Sequence, residues 1–246
     1  MLVGRSRERA ALRAALDDAR RGRGRAVVLR GPPGIGKTAL LEDAVRGAGG
    51  FRALRTRSTE SESGLAFAGL SDLVAPVLER LEAVPAPQRA ALRAALALGP
   101  AAAPDRFAAY AGALSLIGAV AADSPVLIVL DDAHWLDAPT REALAFCARR
   151  IEDEPIAILA ASRELAPERI DVPGVAELLI GPLAAPGDRE LLEAAAADAP
   201  LAPAVAREVL AVAAGNPLAI VELARAMTGD ERAGRAALPR PLRAGE

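Results

Sequence analysis

The residues best suited to chemistry stand in one short glycine-rich segment, Gly-Pro-Pro-Gly-Ile-Gly-Lys-Thr, at residues 31–38. An apolar run at residues 26–29 precedes it, and an apolar helical pattern begins at residue 39. A strand, a glycine-rich loop and a helix in this order let backbone N–H groups and a helix N-terminus surround phosphate oxygens. We therefore predict a nucleotide phosphate site, with contacts from Gly31, Pro33, Gly34, Ile35, Gly36, Lys37, Thr38 and Ala39.

Two side chains of this segment have defined tasks in a phosphate loop. The Lys37 ammonium is expected to reach the β- and γ-phosphates and to take part in catalysis, while the Thr38 hydroxyl holds Mg²⁺. Lys37 is the only lysine in a chain whose other basic side chains are arginines. A compact point charge kept at this one place favours a phosphate site over a plain turn before a helix.

Two adjacent carboxylates, Asp131 and Asp132, follow a second apolar run at residues 126–130. Open α/β sheets bind their ligands at the carboxyl ends of strands, which is where this pair would lie. We assign Asp131 to Mg²⁺, opposite Thr38, and Asp132 to a base that orients an attacking water. The pair could instead form a surface turn, and Asp132 could polarise the site only weakly because aspartate is shorter than glutamate.

Three further side chains belong to the same predicted edge. Arg163 ends the next apolar run, where a cation could sense the γ-phosphate and stabilise charge during transfer; the alternative is a surface arginine. His134 and Trp135 are the only histidine and the only tryptophan. His134 could contact the γ-phosphate region, or it could serve in capping or packing.

The composition indicates a globular protein with no special class of partner. The 246 residues suffice for a large α/β domain with a helical lid, and a net charge of −2 gives no overall attraction to nucleic acid. Cys147, the only cysteine, is expected to be buried in a helix. The longest uncharged run, at residues 107–122, is too short for a membrane span, and the N-terminus carries no secretory signal pattern. We expect a cytoplasmic protein without membrane contact.

Hydrophobic periodicity and turn residues divide the chain into strands and helices. Helices are expected at residues 6–21, with Ser6 as the N-cap, at 39–46, over most of a block at 65–122, and at 138–151, with Asp137 as the N-cap. Strands are expected at residues 25–30, 51–56, 126–130, 155–161 and 176–180.

These elements predict an α/β fold, namely a P-loop NTPase with a five-stranded, mainly parallel sheet flanked by helices and followed by a small all-helical lid. The nucleotide-binding domain is placed at residues 1–184, with the helical block at 65–122 inside it. The lid is placed at 185–228, with helices at 186–197, 203–213 and 217–227. A tail at 229–246 is expected to be disordered because it is rich in Gly, Arg and Pro.

Several short motifs follow one another in a fixed order: Leu2-Val3-Gly4-Arg5, the phosphate loop, Leu130-Asp131-Asp132-Ala133-His134-Trp135, Ser162-Arg163 and Gly215-Asn216-Pro217-Leu218. In this order they resemble the STAND class of signal-transduction NTPases. More narrowly, the chain resembles the N-terminal ATPase module of large LuxR-type bacterial transcriptional regulators related to the maltose regulator. The similarity extends from Leu2 to about Met227.

The resemblance implies ATP and Mg²⁺ as cofactors, together with further residue roles. Val3, Gly4 and Arg5 would line the adenine side, and Pro217 would touch the base or ribose and report the nucleotide state. The fourth strand would lie between the phosphate-loop strand and the third strand. The expected function is an ATP-binding module with slow Mg-dependent hydrolysis, acting as a nucleotide-controlled switch in signalling or transcription regulation.

Three other functions stay open at this stage: an AAA+ ATPase that remodels a macromolecule, a small-molecule phosphotransferase, and a non-hydrolysing nucleotide-binding interaction module. The expected partners are ATP or ADP and further protein domains or a partner protein, with nucleotide-dependent self-association as an additional expectation. Since the regulators that this chain resembles carry their helix-turn-helix in a separate C-terminal domain, we expect no direct DNA binding by this chain.

Overall fold

The computed structural model describes residues 2–99, 105–163 and 174–236. Short 3-10 turns, the longest at Ala75–Ala83, link some of its elements. The strands are β1 (Arg25–Gly31), β2 (Arg52–Arg57), β3 (Val126–Asp131), β4 (Ile156–Arg163) and β5 (Val175–Leu179). The helices are α1 (Ser6–Arg20), α2 (Lys37–Gly47), α3 (Ala68–Val74), α4 (Ala86–Ala95), α5 (Arg106–Ala121), α6 (Ala138–Ala148), α7 (Gly187–Ala195), α8 (Pro203–Ala213), α9 (Pro217–Ala226) and α10 (Gly229–Arg232).

The described strands form one sheet in the order β2-β3-β4-β1-β5. Every neighbouring pair is parallel, so all of these strands end at the same edge. Gly31 at the end of β1 lies beside Arg163 at the end of β4. The predicted fold class is confirmed, and so is the implied position of β4 between β1 and β3. The candidate site residues therefore share one edge of the sheet.

The central strands are buried on both faces because helices cover both faces. Successive side chains of a strand point to opposite sides. Ala26 and Val28 of β1 thus join an apolar core with α3, α5 and α6, while Val27 and Leu29 join a second core with α1 and α2. Strands in such sheets carry continuous apolar runs. A third apolar cluster unites α7, α8 and α9, the helical region expected after the sheet.

Two local expectations are corrected by the structure. The first hydrogen bond of α1 runs from Arg9 N–H to Arg5 O, so Arg5 and not Ser6 is the N-cap. The tail expected to be disordered begins with α10, in which Thr228 and Glu231 form a reciprocal capping box. Composition does not reveal such a pair, but the Thr-x-x-Glu spacing at residues 228–231 is its sequence signature. Residues 237–246 lie outside the described residues.

Asp137 caps α6 as expected, and it also binds the helical block. Its carboxylate accepts hydrogen bonds from the N–H groups of Thr140, Phe67 and Gly69 at 2.9, 2.8 and 3.1 Å. The side chain is buried. Because a buried carboxylate needs several donors, this residue fixes the start of α3 against the start of α6, directly behind the end of β3.

The long uncharged run forms α5, the central helix of the block. Its buried side includes Leu116 and Ile117, and a Cβ on Gly112 would lie 2.6 Å from the Gln88 carbonyl oxygen of α4. The helix therefore packs closely inside the domain. Among the helices of the described residues, none combines the length and the apolar character that crossing a membrane requires.

Cys147 tests the packing of α6. The thiol is buried, and burial raises its pKa to about 12. Because the thiolate is the reactive form, we expect iodoacetamide at about pH 8 to leave the folded chain unmodified and to alkylate it after unfolding in urea. Mass spectrometry measures both reactions. Rapid labelling of the folded chain would contradict the packing described for this helix.

Candidate nucleotide site

The phosphate loop connects β1 to α2 at the carboxyl edge of the sheet. Gly34 and Gly36 have φ angles of +74° and +99°, which favour glycine. Gly36 is the residue before α2, so the helix begins at Lys37 with its unbonded N–H groups and positive dipole end at the loop. Within the described residues no side chain caps this helix. Its N-terminus is therefore available to an anion.

The carbonyl groups of the loop are bonded by donors that surround it. The Lys37 ammonium donates to Gly31 O at 2.8 Å and to Pro32 O at 2.9 Å. The Asn216 side-chain amide, from the start of α9, donates to Pro33 O at 2.9 Å. These three oxygens are held by side chains and do not point freely into the loop.

Two further donors complete this arrangement. The backbone N–H of Leu218 donates to Gly34 O at 3.2 Å, and the Arg5 guanidinium donates to Ile35 O at 3.1 Å. By contrast, the backbone N–H groups of residues 34–38 donate no hydrogen bond within the described part of the chain. The carbonyl groups of the loop thus accept hydrogen bonds, whereas its N–H groups remain available as donors. This arrangement resembles an anion-binding nest.

Lys37 is buried, in keeping with a position on the floor of the loop. Burial lowers the pKa of its ammonium, and the nearby Arg163 lowers it further, while the carboxylates of Asp132 and Asp131 oppose both effects. The four side chains therefore lie close enough at the sheet edge to influence one another electrostatically, as the sequence predicts. In this position the Lys37 ammonium is close to any phosphate that the loop binds.

Thr38 and Asp131 stand opposite each other, as expected for a magnesium pair. The Thr38 hydroxyl lies 3.1 Å from Asp131 Oδ1, which also accepts the Asp132 N–H at 3.1 Å. Hydroxyl and carboxylate oxygens are hard donors that suit Mg²⁺. Because Mg²⁺ is usually bound by one or two carboxylates together with substrate phosphates, this sparse donor set fits the metal.

Asp132 has an unusual backbone conformation for a side-chain-bearing residue, with φ of +51°. Its carboxylate is about one-third exposed, and Arg57 Nε lies 3.9 Å away. Non-glycine residues with positive φ cost free energy and concentrate at functional sites. The conformation turns the chain directly after Asp131 and keeps the Asp132 carboxylate accessible beside it.

Arg163, Trp135 and His134 form an aromatic and cationic group beside the carboxylates. The guanidinium carbon of Arg163 lies 5.7 Å from the centre of the Trp135 ring, which is within cation–π range. The His134 ring lies 4.9 Å from the same ring. Sequence reasoning placed all three at this edge but did not foresee that Trp135 holds Arg163 through its ring face.

His134 is packed in this group. Both ring nitrogens are buried without a hydrogen-bond partner among the residues that the structure describes. Burial, together with the positive charge of Arg163, lowers the imidazole pKa below its ordinary value. Both effects favour the neutral imidazole. Of the open alternatives, packing against Trp135 is observed.

The N-terminal segment lies against both the phosphate loop and the start of the helical region. Arg5 is buried, and its guanidinium donates to Glu8, to Ile35 O and to Gly181 O. A Cβ on Gly4 would lie 2.8 Å from Leu183 Cδ1. The Arg5 guanidinium thus ties this segment to the loop, and the adenine contact expected of Val3, Gly4 and Arg5 stays a prediction.

Pro217 is the first residue of α9, and Asn216 is its N-cap. Asn216 and Leu218 bind the loop, and sequence reasoning missed both as site residues. Asparagine before a proline at the first helical position is a recognisable start of a helix. It does not, however, identify what that helix end contacts. The predicted contact of Pro217 with the base or ribose stays untested.

Gly34 offers a test of the contact between α9 and the loop. A Cβ at this position would lie 2.8 Å from Asn216 Oδ1 and 2.9 Å from Leu218 Cβ, in a backbone region that disfavours alanine. We expect Gly34→Ala to lower the melting temperature and to weaken nucleotide binding at least tenfold. Thermal unfolding and calorimetry measure the two effects.

The matched control is Gly47→Ala at the last residue of α2. Among the described residues, no atom beyond its chain neighbours and the helix's own backbone lies within 4 Å of a Cβ built there, and alanine favours a helix. This variant should bind nucleotide as the parent chain does. Equal behaviour of the two variants would contradict the close approach described at Gly34.

A family model described as an AAA ATPase domain matches residues 1–159, which is more than half of the chain. The chain belongs to this family. The match includes the phosphate loop, Asp131 and Asp132, and it ends before Arg163 and the helical region. The prediction of a P-loop NTPase is thereby confirmed, and the loop belongs to a nucleotide-binding domain of the AAA ATPase type.

Solved structures of Thermotoga maritima RuvB variants are similar in fold. Two of them match with TM-scores of 0.52 and 0.53 at 19% and 18% sequence identity. The matches cover 91% of this chain and 61% and 62% of the RuvB chains, so the chain spans less than two thirds of their length. Such low identity shows the fold alone. A search of curated proteins finds no match.

Proposed function

We propose that this AAA ATPase domain binds ATP with Mg²⁺, hydrolyses it slowly, and acts as a nucleotide-controlled switch in signalling or transcription regulation. The observation that carries the proposal is the Thr38–Asp131 pair, 3.1 Å apart, facing a loop whose carbonyls are bonded by outside donors. That combination suits a metal-bound polyphosphate better than an isolated anion.

Each charged residue of the edge has a distinct task in this proposal. Lys37 binds the β- and γ-phosphates, and Thr38 and Asp131 hold Mg²⁺, which when bound would neutralise phosphate charge. Asp132 orients water and accepts its proton. Arg163, steadied by the Trp135 ring, donates to the γ-phosphate as negative charge builds up on it.

The helical region supplies the switch in this proposal. Val3, Gly4 and Arg5 take the adenine side, and Pro217 touches the base or ribose, so that α9 responds to the nucleotide. Contacts of α9 with the loop and of Gly4 with Leu183 support this coupling. The resemblance to STAND-class and LuxR-type regulators suggests that the module works in the cytoplasm with further domains or a partner protein, does not bind DNA itself, and self-associates in response to nucleotide.

A second candidate is an AAA+ ATPase that remodels a macromolecule. The AAA family match and the RuvB-like fold favour it. That class would place a lid arginine near the γ-phosphate, whereas the α9 residues at the loop are Asn216, Pro217 and Leu218. Turnover per molecule that rises with protein concentration would favour this class, since it indicates residues contributed in trans. Binding without turnover would indicate an interaction module.

Removing the loop ammonium tests the phosphate site. Mg-ATP at about 100 times its Kd should stabilise the parent chain by about 2.7 kcal/mol, and this should raise its melting temperature by about 5–10 °C. Lys37→Ala is expected to lose most of this shift because the phosphates lose their cation. Arg46→Ala, an exposed position on the same helix, is the control and should keep the shift. An equal shift in both variants would exclude this loop as the site.

Two aspartate variants separate metal binding from catalysis. Asp132→Asn should bind Mg-ATP as the parent chain does but hydrolyse it at least tenfold more slowly, because the amide cannot accept a proton. Asp131→Asn should weaken the dependence of binding on Mg²⁺. Calorimetry and phosphate release measure these effects. Lost binding with an unchanged rate in Asp132→Asn would contradict the assigned base.

A further inference from the structure

Both polar atoms of the Asn216 side-chain amide form hydrogen bonds. Its Oδ1 accepts the N–H groups of Leu218 and Ala219 at 3.0 and 3.3 Å, which caps α9. Its Nδ2 donates to Pro33 O at 2.9 Å, and the Leu218 N–H lies 3.2 Å from Gly34 O. The Asn216 side chain and the Leu218 backbone N–H thus join the start of a lid helix to two consecutive peptide groups of the phosphate loop.

We propose that Asn216 is a positioning residue for the nucleotide, which fixes the Pro33–Gly34 peptide so that its carbonyl stays away from the phosphates. The residue touches no phosphate itself. Through it, the position of the lid sets the affinity of the loop. The inference rests on the proposed binding of Mg-ATP, and it adds the physical link by which the lid and the loop affect each other.

The need for such a residue follows from the freedom of glycine. Gly34 has φ of +74°. Glycine can adopt several other backbone conformations of similar free energy, so the residue itself does not fix this one. A rotation of the Pro33–Gly34 peptide would turn a carbonyl oxygen towards the anion and an N–H away from it. Because proline has no N–H, Pro32 and Pro33 cannot donate in compensation. An outside donor to Pro33 O opposes this rotation.

The lid can transmit its position because α9 is part of a packed unit. Ile220, Leu223 and Ala224 of α9 are buried in the apolar cluster with α7 and α8. A displacement of that cluster moves the start of α9, and hydrogen bonds of about 3 Å weaken steeply when their geometry changes. The loop would then lose the donors to Pro33 O and Gly34 O together.

Two substitutions separate the loop bond from the helix cap. Asn216→Ser keeps an N-cap acceptor but lacks the amide donor, and Asn216→Asp keeps the cap but presents a second oxygen where the donor was. The matched control is Thr228→Ala, which removes the cap of α10, the short helix that follows the lid and whose cap bonds stay within its own first turn.

Calorimetry with Mg-ATP and backbone ¹⁵N relaxation of the nucleotide-free protein test the proposal. We expect the Kd to rise about 3- to 10-fold in Asn216→Ser, as for one lost neutral hydrogen bond, and further in Asn216→Asp. The NMR order parameters of the amides at residues 34–36 should fall in both variants, because the Pro33–Gly34 peptide becomes freer to rotate. Thr228→Ala should leave the Kd and the loop order parameters unchanged.

The outcomes distinguish this proposal from the proposed function. If the parent chain does not bind Mg-ATP, the proposed function fails and this coupling fails with it. If the parent chain binds but the two Asn216 variants bind equally well, only the positioning role is overturned. Weaker binding with unchanged loop order parameters, accompanied by a lower melting temperature, would reduce Asn216 to a helix cap and would also overturn it.

Discussion

A backbone that binds phosphate through its N–H groups must have its carbonyl groups bonded elsewhere, because carbonyl oxygens repel the anion. In this chain the bonds come from three separate regions: Lys37 within the loop, Arg5 before the first helix, and Asn216 with Leu218 at the start of α9. The phosphate site is therefore a property of the whole fold. The N-terminal segment and the lid take part in it through hydrogen bonds to carbonyl groups of the loop.

A nucleotide site also needs groups of opposite charge close together. The parallel sheet brings such groups to one edge. Placing β4 between β1 and β3 lets Lys37, Asp131 and Arg163 influence one another electrostatically. Burial alone would favour a neutral Lys37, and the two carboxylates offset that tendency. The Trp135 ring packs against the Arg163 guanidinium and limits the motion of that side chain. The edge thus combines two cations with carboxylate and hydroxyl oxygens, which are the groups that the proposed binding of Mg-ATP requires.

The sequence predicts the elements of this site better than their contacts. Apolar runs mark the buried strands, and the glycines with Lys37 mark the loop, because both patterns are local. The bond between Asn216 and Pro33 joins residues 183 positions apart, and no spacing rule describes it. The same holds for Arg5, whose guanidinium reaches Gly181. The motifs single out Arg5 for adenine and Pro217 for the base or ribose, but they do not show that Arg5 and Asn216 also bind carbonyl groups of the loop.

Backbone amide NMR of the labelled chain during titration with Mg-ATP tests the central claim most directly. If the loop presents N–H groups to phosphate while its carbonyls stay bonded, the largest chemical-shift changes should fall on the amides of residues 34–39. Smaller changes should appear at Asn216 and Leu218. Changes confined to other surfaces, with the loop amides unmoved, would contradict the account.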